Sequence, residues 1–321
     1  MDVSARIATL QLTETFVISR EAQDTADVVE VEIVHEGVSG FGEANPIERY
    51  GESAESALAY LDEYAAALGD DPFELEEIHE RLPRREFAAR AAIDAALHDL
   101  QGKLTGLPVW RLLGLRRFGP PTSWTIWLGD PDDMARRAEK AAARFKRLKL
   151  KLGGRDGLDL DRVRAVRAAT DTPLQVDVNE YWTLDEALEL LPQMEIEYCE
   201  QPLAAGDPGG PQLKAASPVP LFVDEDCHTL ADVAACAARA LGLGVMLGCM
   251  IESGLGISAA AQVASLCDHV DLDGNLLLAD DPWPGVDFVD GVQVPADRPG
   301  LGVSGHGARG HVPVPGTVTE V

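Results

Sequence analysis

No stretch of this chain is apolar for the ~18 residues that a membrane span needs. Met1-Asp2-Val3 opens no charged-then-apolar leader, so a soluble, cytoplasmic protein is expected. Cysteine is sparse and odd in number: Cys199, Cys227, Cys236, Cys249 and Cys267 include no CxxC pair. Each lies in or beside an apolar stretch, which argues against a zinc site or a disulfide frame and for reduced, structural thiols. Positive charge is also scarce. Lys plus Arg is 27 against 54 Asp plus Glu, a net charge of −27, and only six of the cations are lysines. A field of that sign repels nucleic acid and anionic membranes, so neither is expected as a partner. It also strains the compact state unless salt screens it, which points to a salt-loving cytoplasm, with an ordinary acidic cytosolic enzyme as the alternative.

What is present is ordinary for a globular protein: 321 residues, 46% hydrophobic and 25% charged, enough for about two domains. Over residues 1–120 the pattern mixes periods. Asp27–His35 alternates, with Val29, Val31 and Ile33 on one face and Glu30 and Glu32 on the other, a half-buried strand; 40–44 continues as a second strand after a turn at Gly37. Ile93, Ala96, Leu97, Leu100 and Leu104 then recur at helical spacing until Gly106-Leu107-Pro108 stops the helix. Strands followed by helices imply a small α+β domain.

From about Thr122 the rhythm changes. The short apolar runs SWTIWL, RLKLKLG, PLQVDVN, IEYCEQP, PLFVDED, GVMLGCM and HVDLDG alternate with amphipathic helical segments over 121–290. Such alternation predicts a parallel sheet, open or closed as a barrel. No G-x-G-x-x-G follows the first run, so a dinucleotide-binding sheet has little support. Lys151, Asp177, Glu200 and Asp224 each end a different apolar run, at steps of 26, 23 and 24 residues. Polar residues at the C-terminal ends of successive strands favour a (β/α) barrel with its site at that face.

Any one of these acids alone reads as a cap of the following helix. Three in βα register beside two lysines read as a site, because three like charges at one point need a divalent cation. All-oxygen ligands favour Mg²⁺ over zinc. Lys149 and Lys151 are two apart on one strand and share a face, the setting in which a lysine beside a cation serves as a general base.

With these residues in place the chain resembles the enolase superfamily, its muconate-lactonising subgroup, and within it the dipeptide epimerases. The matching pieces are Lys149-Leu150-Lys151, Asp177-Val178-Asn179, Glu200-Gln201-Pro202, Asp224-Glu225-Asp226, the run from Gly248 to Ser253 and Asp271-Leu272-Asp273-Gly274. Residues 92–100 and Arg49-Tyr50-Gly51-Glu52-Ser53 look similar too. The resemblance implies an enolase-like α/β fold: an α+β capping domain (1–120), a modified TIM-type (β/α) barrel (121–290), and a C-terminal segment (291–321) returning to the capping domain. It implies Mg²⁺ held by Asp177, Glu200 and Asp224, Lys151 as base and Lys149 in support. Substrate contacts would come from Asp271 and Asp273, which hold the α-ammonium of a dipeptide, and from Glu252. A small-molecule carboxylate is the expected partner, and a homo-oligomer fits the subgroup. The implied chemistry is removal of the proton α to a carboxylate, whose growing negative charge a fixed cation stabilises.

The pattern breaks at one point. A proton transfer that inverts the α-carbon needs a second base on its opposite face, and the family takes it from a lysine on the strand after the Asp224 strand. Counting 24 residues on from Asp224 reaches Gly248, inside the run that matches the strand after that one, and no lysine follows Lys214. One βα unit is therefore expected to be missing. Three readings stay open here: a chain that lost a unit and keeps only Mg²⁺ and ligand binding, a one-base cycloisomerase or dehydratase of muconate or o-succinylbenzoate type, or replacement of the second base by His228 or His269.

Overall fold

The computed structural model describes residues 1–227 and 243–304. The N-terminal domain is a three-stranded antiparallel sheet, β1 (Asp2–Val17), β2 (Ala22–His35) and β3 (Val38–Ala44), backed by helices. Glu36 and Gly37 form the β2–β3 turn with φ of 50° and 78°, as a two-residue hairpin of this twist requires. The expected half-buried strand is covered on both faces. Val29, Val31 and Ile33 face the helices, while Glu30 is buried as well, taking the Trp283 indole N–H and an ion pair from Arg6.

Helices α1 (Ala54–Tyr64), α2 (Leu75–Arg81), α3 (Phe87–Thr105) and α4 (Val109–Leu112) complete the domain. α3 presents Ala89, Ala92, Ile93, Ala96, Leu97 and Leu100 to the sheet, and Gly106 ends it in the left-handed conformation. Its alanines let β3 approach closely. A side chain on Gly40 or Gly42 would overlap the Ala96 or Ala92 carbonyl oxygen.

All seven apolar runs become strands: β4 (Trp124–Ile126), β5 (Leu148–Lys151), β6 (Leu174–Asp177), β7 (Cys199–Glu200), β8 (Leu221–Phe222), β9 (Met246–Leu247) and β10 (His269–Val270). Between them run α5 (Pro131–Ala142), α6 (Asp159–Ala169), α7 (Leu184–Leu190), α8 (Gly210–Ala216) and α9 (Gly254–Val263). β4 to β8 form one parallel sheet in sequence order; β9 and β10 pair with each other and join the β4 side through a Thr122–Val270 bridge. Among the described residues β8 and β9 share no ladder, so the wall is continuous from β9 through β10 and β4 round to β8.

The hairpin β11 (Val286–Val289) and β12 (Val292–Pro295) crosses residue 290, the expected border of the last segment. Beyond it, Gly300 exchanges backbone hydrogen bonds with Leu107 and Val109, and Leu301 N–H donates to the buried Asp99 carboxylate, which also binds Phe41 N–H and Lys103. No helix among the described residues is long and apolar enough to cross a membrane. Cys199 and Cys249 are free thiols, and Cys236 lies outside the described residues.

Candidate active site

Parallel pairing puts Lys151, Asp177, Glu200 and Phe222 in one cross-strand row at the C-terminal ends of β5 to β8. Asp177 and Glu200 are each 1% exposed. Lys151 Nζ stands 2.6 Å from Asp177 Oδ2 and 3.4 Å from Asn179 Oδ1. Lys149, one pleat deeper and 4% exposed, meets three carboxylates: Asp271 at 2.8 Å, Glu200 at 2.9 Å and Asp177 at 3.3 Å. Burial works to raise the Asp177 carboxyl, but Lys151 and Lys149 outweigh it and hold it below the usual range. Glu200 goes the other way: burial pushes it up to about 8, only partly offset by Lys149. Burial alone would lower Lys149, yet Asp271, Glu200 and Asp177 together raise it well above an ordinary lysine.

The carboxylates suit a hard cation. Glu225 Oε2 and Asp271 Oδ1 are buried oxygens with no hydrogen bond among the described residues, and no described His or Cys joins them as a donor. As the side chains stand, no three acids among the described residues clasp a common point, because the Lys149 and Lys151 ammonium groups lie between them. Asp224 is exposed at the rim, two residues past β8, where its N–H donates to Gln201 Oε1 at 2.9 Å. Gln201, at φ 34°, also donates to Asp226 and so organises the Asp224-Glu225-Asp226 loop.

The other expected substrate contacts divide. Asp271 joins the Lys149 cluster. Asp273 accepts the Thr125 backbone N–H at 2.6 Å, and burial beside Asp271 pushes its carboxyl up to about 7. Glu252 is not brought to the lysines: it accepts Met250 N–H at 3.2 Å and turns toward Gly256 and Glu43, at the junction with the N-terminal domain. His269 points into the barrel one pleat below Asp271, against Tyr198 and Phe222 and 3.4 Å from Arg147. That is too deep to face a substrate at the mouth, so it does not replace the second base. His228 lies outside the described residues.

Two residues escaped the sequence reading. Arg20, between β1 and β2, reaches Glu225 at 2.8 Å and Glu180 at 3.4 Å. Glu180, at φ 73°, takes a bidentate pair from Arg49 at 2.8 and 2.9 Å. These pairs clamp the N-terminal domain over the barrel mouth. Only the Arg49-Tyr50-Gly51-Glu52-Ser53 match hinted at them, since partners more than a hundred residues apart leave no local pattern.

A capping α+β domain on a parallel-sheet α/β domain, with a lysine pair and carboxylates on consecutive strand ends, defines the class. The chain belongs to the mandelate racemase / muconate lactonizing enzyme family of the enolase superfamily. Residues 2–114 match that family's N-terminal domain, and residues 133–237 match the enolase C-terminal domain-like family. It is 37% identical to the L-Ala-D/L-Glu epimerase of Bacteroides thetaiotaomicron, covering 92% of this chain and 85% of that one. Among solved structures it resembles the substrate-liganded L-Ala-D/L-Glu epimerase of Bacillus subtilis (TM-score 0.90, 27% identity, 95% and 98% coverage). It also resembles the dipeptide epimerase of Enterococcus faecalis complexed with Mg and L-Leu-L-Tyr (TM-score 0.89, 30% identity, 94% and 98% coverage).

Proposed function

We propose that this protein is a Mg²⁺-dependent enzyme of the dipeptide-epimerase type, which removes the proton α to the carboxylate of a dipeptide and whose inversion step is impaired by the absence of a second lysine. The cross-strand row of Lys151 with the buried Asp177 and Glu200 carries the reading. In it Asp177, Glu200 and Asp224 hold the ion, which supplies positive charge where the substrate carboxylate gains negative charge. Lys151 takes the α-proton at Nζ. Asn179, whose N–H and side-chain amide both donate to Asp177, keeps that carboxylate aligned beside it. Lys149 balances the acids below, and Asp271 with Asp273 receives the α-ammonium of the dipeptide. Glu252 supports that end of the site from the domain junction. The Arg20 and Arg49 pairs keep the capping domain seated and water out.

The missing second lysine sets the stereochemical expectation. With no lysine after Lys214, the proton returns from Lys151 to the face it left. Proton NMR of L-Ala-L-Glu in D₂O with Mg²⁺ therefore shows α-proton exchange with little or no L,D product, and Lys151→Ala abolishes the exchange. Losing one placed acid/base typically costs ~10²–10⁴ in rate, so inversion is slow. Rapid inversion refutes the one-base account and leaves the metal site standing. Absence of exchange with Mg²⁺-dependent dipeptide binding intact marks a ligand-binding relative. The acidic surface fits a cytoplasm rich in salt, and assembly into a homo-oligomer accords with the subgroup the chain resembles.

A further inference from the structure

We propose that the barrel's outer wall carries a second binding site, for a small aromatic anion, in the cleft between β4 and the C-terminal half of α5. The cleft, of about 210 Å³, is lined by the rings of Trp124, Trp127 and Phe145, by Arg137, Lys140 and Arg144, and by one acid, Glu14. Alternation along β4 buries Ser123, whose hydroxyl donates to Gln175, and Thr125 on the inner face and leaves Trp124 on the outer one with Phe145, so this is a different face from the site at the strand ends.

Charge is the first argument. Residues 134–147 hold Arg136, Arg137, Lys140, Arg144, Lys146 and Arg147 against the single acid Glu139, in a chain of net charge −27. Arg136, Lys146 and Arg147 pair with Asp133, Asp290 and Glu197. The three cations facing the cleft do not share this. Arg137 has only Glu14, at the 4.0 Å limit of an ion pair, and neither Lys140 nor Arg144 has a carboxylate in reach among the described residues. Acidic residues outnumber basic ones two to one here, so nothing in the composition explains unpaired cations. They favour an anion.

The aromatic lining is the second argument. Trp124 stacks on Phe145 at 4.6 Å and 25°, and both Trp124 and Trp127 keep indole N–H groups that donate to no described residue. Arg137 lies 4.4 Å over Trp127 and Arg144 4.5 Å over Phe288. Stacking on the rings fixes each guanidinium's plane and leaves its N–H edges free to hold a carboxylate or phosphate. A ring beside the indoles with its charge toward Lys140 and Arg144 satisfies all these groups at once. Inorganic anions would leave the aromatic lining unused; neutral rings would leave the cations unpaired.

The test is tryptophan fluorescence of the full chain in EDTA, at the lowest KCl concentration that preserves the native circular dichroism. Phenyl phosphate and benzoate are the probes; inorganic phosphate and phenol are the controls. Saturable quenching by either probe, and by neither control at the same concentration, is expected; which probe binds more tightly assigns the head group. The response should weaken as KCl rises. Lys140→Gln with Arg144→Gln, both exposed, should weaken binding at least about 10-fold with an unchanged melt. Trp127→Phe should remove most of the signal change. No saturable quenching up to about 10 mM probe, equal quenching by phenol, or full affinity in the double variant overturns the site.

Discussion

Replacing Lys149 by Met keeps most of the side-chain volume and deletes the charge. The buried ammonium lies 2.8, 2.9 and 3.3 Å from carboxylates of Asp271, Glu200 and Asp177. Each of those acids has most of its water stripped away, so removing their shared counter-charge leaves buried anions facing one another. Breaking a buried pair from one side costs ~3–5 kcal/mol, and the near-isosteric Met adds little cavity cost. A chain of this size loses roughly 1.5–2 °C in melting temperature per kcal/mol, so the fall should be about 5–10 °C. Circular dichroism melts in EDTA and molar KCl measure it. The same change at Lys146, half-exposed and paired with Asp290, should move the melt by no more than about 1–2 °C. Mg²⁺ should return part of the loss at Lys149, because it brings a cation back to the same acids. A Lys149→Met protein that melts with the wild type, or no lower than Lys146→Met, refutes the account of Lys149 as the neutralising centre.

Three further outcomes are expected. Gly42→Ala should destabilise the N-terminal domain by about 1–3 kcal/mol or prevent folding, read by urea titration, because its methyl group overlaps the α3 backbone at Ala92; a neutral effect contradicts the close packing. Glu43 is pushed up to about 8 by burial, with Glu252 and Glu30 adding to the rise and the Ser253 hydrogen bonds opposing it. A raised carboxyl contributes stability that is complete below its unfolded value near 4.5 and is lost as pH climbs through about 8, so Glu43→Gln should flatten that decline in melts across pH 4–9. An unaltered slope excludes Glu43 as its source. Finally, dilute buffer should loosen the chain relative to 1 M KCl, where the Debye length falls from ~10 Å at 0.1 M to ~3 Å; melts indifferent to KCl return the protein to ordinary acidic enzymes.

Local physics made much of this legible in the sequence. A strand buried in a parallel sheet must be a short apolar run, and all seven runs from SWTIWL to HVDLDG became strands. Helix α3 followed from its apolar spacing and its glycine stop. Other elements gave weak signals. β1 extends over 16 residues, most of them exposed or half-exposed, so hydrophobic period says little about it. The β11–β12 hairpin turns at Asp290-Gly291, a two-residue signal easily passed over where the chain changes domain.

By itself the sequence determined the order of strands and helices, the lysine pair, and the spacing that sets Lys151, Asp177 and Glu200 side by side. Those features depend on residues close in the chain or on the constant length of a βα unit. Only the tertiary structure decided how far each charge lies from its neighbours. It drew Lys149 into three carboxylates, sank His269 below the mouth, turned Glu252 toward Glu43, and joined Arg20 and Arg49 to Glu180 across 160 and 131 residues. An ion pair acts through space and falls off over a few ångströms. Which charges meet is therefore fixed by packing, long after the local pattern has settled where each element begins and ends.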